Sequence, residues 1–419
     1  MQNEILSERA DLFDPNMCIA ITFDVAGAEE QLFVEAARRA FTGFEATMSK
    51  IVLTNTGSAY YEKMHFSGCT AHTTHSDFND LIRENEKKPF AIENGEMMRV
   101  FVRQSEGRLN LLVMMHHLAG DGKSAVYFVE RMIKEYIGER GEYQTLKLLN
   151  KDTLPAGTNI SRLYHWLAKH YNERWLKSGR VFDWDDKNNL HHTYWQERTS
   201  IILKRHFSPE CVERIHTKSK AAKVSVNSWI LTAFMRENKR YQSAGLAVDA
   251  RIDGNRAMSN QATGIIARYI YSDMLTFEQN AYRLHKRIYT KLNKLPRRYF
   301  ILRFIPLFTP SLIDSILMYV YGLYDNRTSK KAAAMMGCAP LKTNVLSVTN
   351  LTRLDIAQKY GDLRIEHFYF VPPVVSYAYQ TFGIATTPSG MTVTLHSMND
   401  RFTEREKQMF INTMDFLED

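Results

Sequence analysis

Residues 109–115 read L-N-L-L-V-M-M, and this almost unbroken apolar run constrains the fold more than any other stretch of the chain. A strand with one wet face alternates apolar and polar side chains, whereas a strand that is apolar throughout is covered on both faces. Directly after it come His116, His117, Leu118, Ala119, Gly120, Asp121 and Gly122, an H-H-x-x-x-D-G turn. Ala125, Phe128, Val129, Met132, Ile133, Tyr136 and Ile137 then recur at the spacing of one helix face. This predicts an amphipathic helix, with Ser124 placed to cap its start. Two imidazoles, two glycines and a carboxylate are more chemistry than a connector needs.

At 419 residues the chain exceeds a typical single domain, so two domains or lobes are expected. An apolar fraction of 44% with 24% charged residues is that of an ordinary globular protein. The four cysteines, Cys18, Cys69, Cys211 and Cys338, lie far apart and read as reduced thiols. The first residues lack the apolar core of a signal peptide, which predicts a cytoplasmic protein.

Strands are expected at 17–23, 50–53, 98–104 and 109–115, with a helix at 29–40. A polar, aromatic stretch at 178–195 reads as a crossover between halves. The second half restarts with a strand at 201–207, helices at 209–222 and 226–241, and a strand at 246–252. This repeats the order of the first half, so the expected division is 1–180 and 181–419. The most apolar stretch, 299–324, is broken by Arg303, Pro306, Pro310 and Asp314 and cannot be one spanning helix. It reads either as a buried helix pair or as an interfacial element admitting a greasy substrate.

A bare H-x-x-x-D arises by chance about once in a chain of this composition. Here a second match, His396 to Asp400, ends an alternating strand at 391–395, lacks the following glycine and is read as accidental. The preceding histidine, the following glycine and the strand-turn-helix setting make the first match far more specific. Cys69-x-x-His72-x-x-His75 matches no standard zinc spacing and reads as a polar loop, so no metal is expected. His191-His192 has no aspartate four residues on and is expected to be exposed. P-loop, G-x-S-x-G and Rossmann glycine patterns do not occur.

With these residues the chain resembles the HxxxD acyltransferase superfamily, which includes chloramphenicol acetyltransferase, condensation domains, polyketide-associated acyltransferases and alcohol acetyltransferases. Other segments are similar too. They are Lys88 to Glu93 with Met97 to Val100, the helix tyrosine Tyr136, and Val248-Asp249-Ala250-Arg251. Ser347 to Leu354 resembles an S-x-x-N-x-G-R-L stretch, with Thr352 where glycine is usual. The strand at 391–395, Asp400 and a helix from Thr403 complete the likeness. Two features depart from it. Thr42 to Thr47 stands where many condensation domains carry an L-R-T-R-F-like element, and Thr381 to Ile384 is at most a faint echo of the plant members' D-F-G-W-G loop.

The resemblance implies an α/β fold: two chloramphenicol-acetyltransferase-like sandwich lobes in one chain, a pseudo-dimer with a tunnel between them. It implies that His117 is the general base for acyl transfer from a thioester, without a covalent acyl-enzyme. His116 then shapes the turn or has a lesser direct part. Asp121 pairs with Arg251 and locks the turn; the alternative leaves Arg251 on the surface at a strand end. Gly122 serves the turn's geometry or offers its N–H to the oxyanion. Ser347 and Asn350 contact oxyanion or substrate, or close a local turn.

No tightly bound cofactor is implied. Acyl-coenzyme A or an acyl carrier protein is the co-substrate, and a small-molecule or lipid alcohol or amine is the acceptor. The net charge of +8 suits coenzyme A phosphates, an acidic carrier protein or an anionic membrane surface, and dispersed basic residues argue against nucleic acid. A monomer is expected, with peripheral membrane contact left open. Ester formation is the first expectation, since the chain carries no fused carrier domain and lacks the condensation-type arginine element. Amide formation by a standalone condensation domain, or a silent relative that docks carrier proteins, is the alternative.

Overall fold

The computed structural model describes residues 3–105, 107–177, 180–252, 254–341, 343–376 and 378–419. The apolar run becomes the strand Arg108–His116, in which Leu109 and Leu111 to Met115 are at most 1% exposed. It pairs antiparallel with Cys18–Ala26 on one side and Met98–Ser105 on the other. The helices Glu30–Phe41 and Gly122–Tyr136 pack together, with Phe41 stacked on Phe128 at 5.3 Å between ring centres.

Among the described residues there are two six-stranded sheets and a small three-stranded one. The first large sheet runs Lys359–Tyr360, Leu363–Val371, Cys18–Ala26, Arg108–His116, Met98–Ser105, Thr70–Thr73. The second runs Ala262–Arg268, Ser243–Asp249, Val345–Arg353, Thr381–Thr387, Gly390–Met398, Ser200–Phe207. Each is covered by helices, which gives the mixed α/β architecture that the resemblance implies. Residues 359–371 come from the second half of the chain yet lie in the first half's sheet, pairing with Cys18–Ala26.

The strand Leu363–Val371 also ties the sheets together. The hydroxyls of Thr392 and Thr394 donate to the carbonyls of Phe368 and Phe370 at 2.7 and 2.6 Å. At Gly383 the two backbones approach so closely that a Cβ would strike the Phe370 carbonyl. Deeper in this junction His396 lies 2.7 Å from the Pro372 carbonyl and 3.0 Å from Ser200 Oγ, which donates to Glu86. His396 lies within its strand and is fully buried.

Several expected elements move. The stretch 178–195 is not a plain crossover: Trp184–Gln196 is a helix with a capping box between Asp183 and Asp186, while residues 178 and 179 lie outside the described residues. His191 is accordingly half-buried on that helix rather than exposed, and burial pushes its imidazole down to about 3; His192 is exposed. The helix expected to reach 241 stops at Glu237, and its strand partner is Ser243–Asp249, so Arg251 falls past the strand's end. Thr70–Thr73 is an edge strand where a polar loop was expected, and no metal-holding cluster occurs among the described residues.

The apolar stretch folds into Phe300–Phe304 with a short 3-10 turn, then Pro310–Val320, bent by 101°. The second helix buries Leu312 to Met318, and Asp314 within it receives two hydrogen bonds from buried Arg9, at 2.8 and 2.6 Å. Among the described residues no single helix is long and apolar enough to cross a membrane.

Candidate active site

The H-H-x-x-x-D-G residues form a 3-10 turn, His117–Ala119, between strand and helix. Gly120 supplies the sharp change of direction at φ 153°, where a Cβ would run into the Ser124 side chain. Asp121, not Ser124 as the periodicity suggests, then caps the helix, its carboxylate accepting from the Ser124 N–H at 3.0 Å. Gly122 is tight for a different reason, because the side chains of Leu351 and Phe370, from the second half of the chain, stand where a Cβ would be added.

The two histidines differ in environment. His116 is buried, and its Nδ1 accepts the Leu118 N–H at 3.2 Å. Burial, then the positive charge of Lys187, pushes its imidazole well below the usual range, so it stays neutral and shapes the turn. His117 keeps 17% of its side chain exposed, and its backbone N–H donates to the Met17 carbonyl at 2.8 Å. Its Nδ1 is buried without a hydrogen bond, 3.5 Å from Asp11 Oδ2. Nε2 is therefore the nitrogen open to a substrate.

Asp121 turns away from His117. Arg251 grips it with two hydrogen bonds of 2.8 Å, one to each carboxylate oxygen, and side-chain exposures of 4% and 6% put both groups out of water. The Gln261 N–H adds a further bond to the carboxylate at 3.0 Å, beside those from Arg251 and the Ser124 N–H. Ser124 Oγ donates to the Ser259 carbonyl, and the Ser259 N–H donates back to it. The next residue, Asn260, donates from Nδ2 to Asp11 Oδ2 at 2.8 Å. Three consecutive residues, Ser259 to Gln261, thus clip the second half of the chain onto the histidine-bearing turn.

The structure brings Asp121, Arg251, His116, His117 and Gly122 together. The strand Val345–Arg353 ends beside them through Leu351. On it, Asn350 accepts the Thr352 N–H at 2.7 Å and donates to Asn227 at 3.1 Å, at the register shift between Asn350 and Arg353 within this strand. Thr352, where the resemblance places glycine, sits at φ 62°. Ser347 is half-buried on the same strand. Tyr136 lies at the far end of the motif helix, stacked on Phe33 with its hydroxyl accepting the Glu29 N–H.

Sequence reasoning did not find Asp11, Asn260 or the Glu8–Tyr61 pair beneath the turn. Tyr61 Oη lies 2.6 Å from Glu8 Oε1 and 2.7 Å from the Leu118 carbonyl. Asp11 lies in a four-residue helix, Ala10–Phe13, at no fixed spacing from the motif, and only the folded chain reveals its neighbour.

No family model matches the chain. Solved structures do. The first condensation domain of the CDA synthetase superposes with a TM-score of 0.66 at 11% identity, covering 100% of this chain and 95% of that one. The EpoB cyclization-docking bidomain from Sorangium cellulosum gives 0.65 at 11%, covering 100% and 84%. Polyketide synthase associated protein 5 from Mycobacterium tuberculosis gives 0.61 at 12%, covering 99% and 96%. The fold is therefore that of the condensation-domain pseudo-dimers.

Proposed function

We propose that this protein is an acyltransferase that moves an acyl group from a coenzyme A or carrier-protein thioester to a hydroxyl, forming an ester, with His117 as general base. The observation that carries the reading is His117 itself: one ring nitrogen is accessible, the other is buried against a carboxylate, and the turn beneath is fixed by the Asp121–Arg251 pair. An imidazole titrates near neutrality and suits removal of a proton from an attacking hydroxyl.

In this mechanism the two halves of the chain bound a tunnel with His117 near its middle. Nε2 takes the acceptor's proton as its oxygen bonds to the thioester carbon. The tetrahedral oxyanion then collapses, the C–S bond breaks, and the proton passes to the departing thiolate. Gly122, first in its helix where N–H groups lack intrahelical partners, is a candidate oxyanion donor, and Ser347 and Asn350 are second-half candidates. No metal or tightly bound cofactor takes part in this scheme.

Amide formation on a carrier-bound chain is the second reading, favoured by the condensation domains among the structural neighbours. A silent carrier-docking relative has no use for an accessible, oriented base. The reading is tested by thiol release from acyl-coenzyme A and acyl-carrier donors, short to long, with mixed alcohols and amines. Acceptor-dependent release that is lost in His117→Ala supports transfer, and the productive acceptor separates ester from amide. Equal release from both proteins on every donor overturns it.

A further inference from the structure

For Nε2 of His117 to act as a base it must be unprotonated, and the neutral ring then carries its proton on Nδ1. Nδ1 is the buried nitrogen with no hydrogen bond, and Asp11 Oδ2 stands 3.5 Å from it. A carboxylate there favours the Nδ1–H tautomer, and it favours the imidazolium that exists between taking the acceptor's proton and giving it up. The separation is longer than a hydrogen bond, and a small rotation of either side chain would close it.

The surroundings leave this carboxylate to His117. Just before its own short helix, Arg9 is committed to Asp314, and Glu8 is held by Tyr61. From the motif turn, His116 is neutral and uses Nδ1 on the Leu118 N–H, while Asp121 is gripped by Arg251. From the second half, Asn260 donates to Asp11 Oδ2 and fixes its direction. Asp11 is buried with its carboxyl pushed up by that burial, and the positive charge that His117 can carry pulls it back. Burial of an anion beside the base is costly unless a cation forms there.

We propose that Asp11 is a positioning residue for His117, oriented by Asn260 from the opposite half of the chain, which selects the Nδ1–H tautomer and stabilises the imidazolium during transfer. The proposal rests on the acyltransferase reading for its catalytic consequence, though the tautomer is a property of the resting protein. Because Asn260 lies between Ser259 and Gln261, the same three-residue clip that anchors the Asp121 cap also aims Asp11.

Two measurements on the full chain test it. In the first, nitrogen-15 spectra of histidine-labelled protein are recorded for the wild type and Asp11→Asn, with the His117 signal assigned from its loss in His117→Gln. The neutral His117 ring is expected as the Nδ1–H tautomer in the wild type and shifted toward Nε2–H in Asp11→Asn. A wild-type Nε2–H ring, or identical tautomers in both proteins, overturns the proposal whether or not any donor is turned over.

In the second, kcat and KM are measured across pH on a productive donor. Asp11→Asn is expected to lower kcat about 100-fold with KM nearly unchanged, the scale of a compromised general base. The acidic limb of kcat/KM moves to lower pH, because the carboxylate that favours the imidazolium is gone. Asn260→Ala loses less, and Asp11→Glu recovers part of the rate. Full rate and an unmoved limb in Asp11→Asn overturn the role. Absence of turnover in the wild type with the expected tautomer change would overturn the acyltransferase reading instead and leave the pairing standing.

Discussion

Tyr61 joins Glu8 to the turn that carries His117: its phenol oxygen is 2.6 Å from Glu8 Oε1 and 2.7 Å from the carbonyl of Leu118. One phenol proton can serve only one of these oxygens. If Glu8 is protonated, the carboxylic acid donates to Tyr61 and Tyr61 donates to Leu118, and both contacts are satisfied. The electrostatics agree, since burial lifts the Glu8 carboxyl to about 8.

A pH dependence of stability follows. In the unfolded chain Glu8 titrates near 4.5 and in the folded protein near 8, so between these values the folded state holds the extra proton. Its contribution to stability is fully present below 4.5 and is lost as pH rises through 8. Replacement by glutamine keeps a donor and removes the charge. Denaturant melts of wild type and Glu8→Gln at pH 5 and pH 8.5 should show the variant gaining on the wild type at the higher pH, by a few kcal/mol at most on the order of the linkage. Parallel pH profiles for the two proteins would place the proton elsewhere.

Gly120 and Gly122 are expected to respond differently to alanine. At Gly120 the backbone conformation excludes a side chain and the Ser124 Cβ blocks the space. Strain and clash together destabilise by about 2–4 kcal/mol, and the capping turn under His117 is lost with them. At Gly122 the obstacles are the far end of Leu351, 2.6 Å from the added carbon, and the edge of Phe370 at 3.1 Å. Those side chains can shift, at about 1–3 kcal/mol for overpacking. Thermal melts should rank Gly120→Ala well below Gly122→Ala.

The Asp121–Arg251 pair is predicted to matter more when half-broken than when removed whole. Each group is almost fully withdrawn from water, so Asp121→Ala leaves the guanidinium with Asp249 Oδ1, 3.2 Å away, as its remaining carboxylate, at a cost of about 3 kcal/mol. The combined Asp121→Leu, Arg251→Met protein should recover much of that stability. Thiol release should stay low in both, because the cap that fixes the turn is gone in each. A double variant no more stable than Asp121→Ala would mean that the bonds from Ser124 and Gln261, not the charge pair, hold the segment.

Local signals made part of this arrangement legible beforehand. The apolar run placed the strand within a residue of Arg108–His116, and the periodicity after it marked the helix Gly122–Tyr136 but set its cap at Ser124, three residues past the true cap Asp121. The repeated order of elements pointed to two similar halves. Pairing across the chain left no such trace. Leu363–Val371 joins a sheet whose neighbouring strand lies over three hundred residues earlier, and nothing local records that partnership. The helix Trp184–Gln196 has too little contrast between its faces to show periodicity, and only Asp183 and Asp186 mark its start. Asp11 is an ordinary acidic residue until folding sets it beside His117.

Tyr136 separates likeness from participation. It is part of the sequence resemblance, yet it stands at the opposite end of the motif helix from Asp121. Its ring stacks on Phe33 at 4.6 Å, and its hydroxyl accepts the Glu29 N–H at 2.9 Å, at the start of the helix Glu30–Phe41. Glu29 itself supplies no side-chain cap, so the phenol oxygen satisfies a donor that the helix start would otherwise leave to water. Tyr136→Phe keeps the stacking and loses that bond, which predicts a stability loss of about 1 kcal/mol with no change in thiol release. Tyr136→Ala also removes the ring and should cost about 3 kcal/mol or more. A fall in kcat for Tyr136→Phe at unchanged stability would instead give the hydroxyl a part in the reaction.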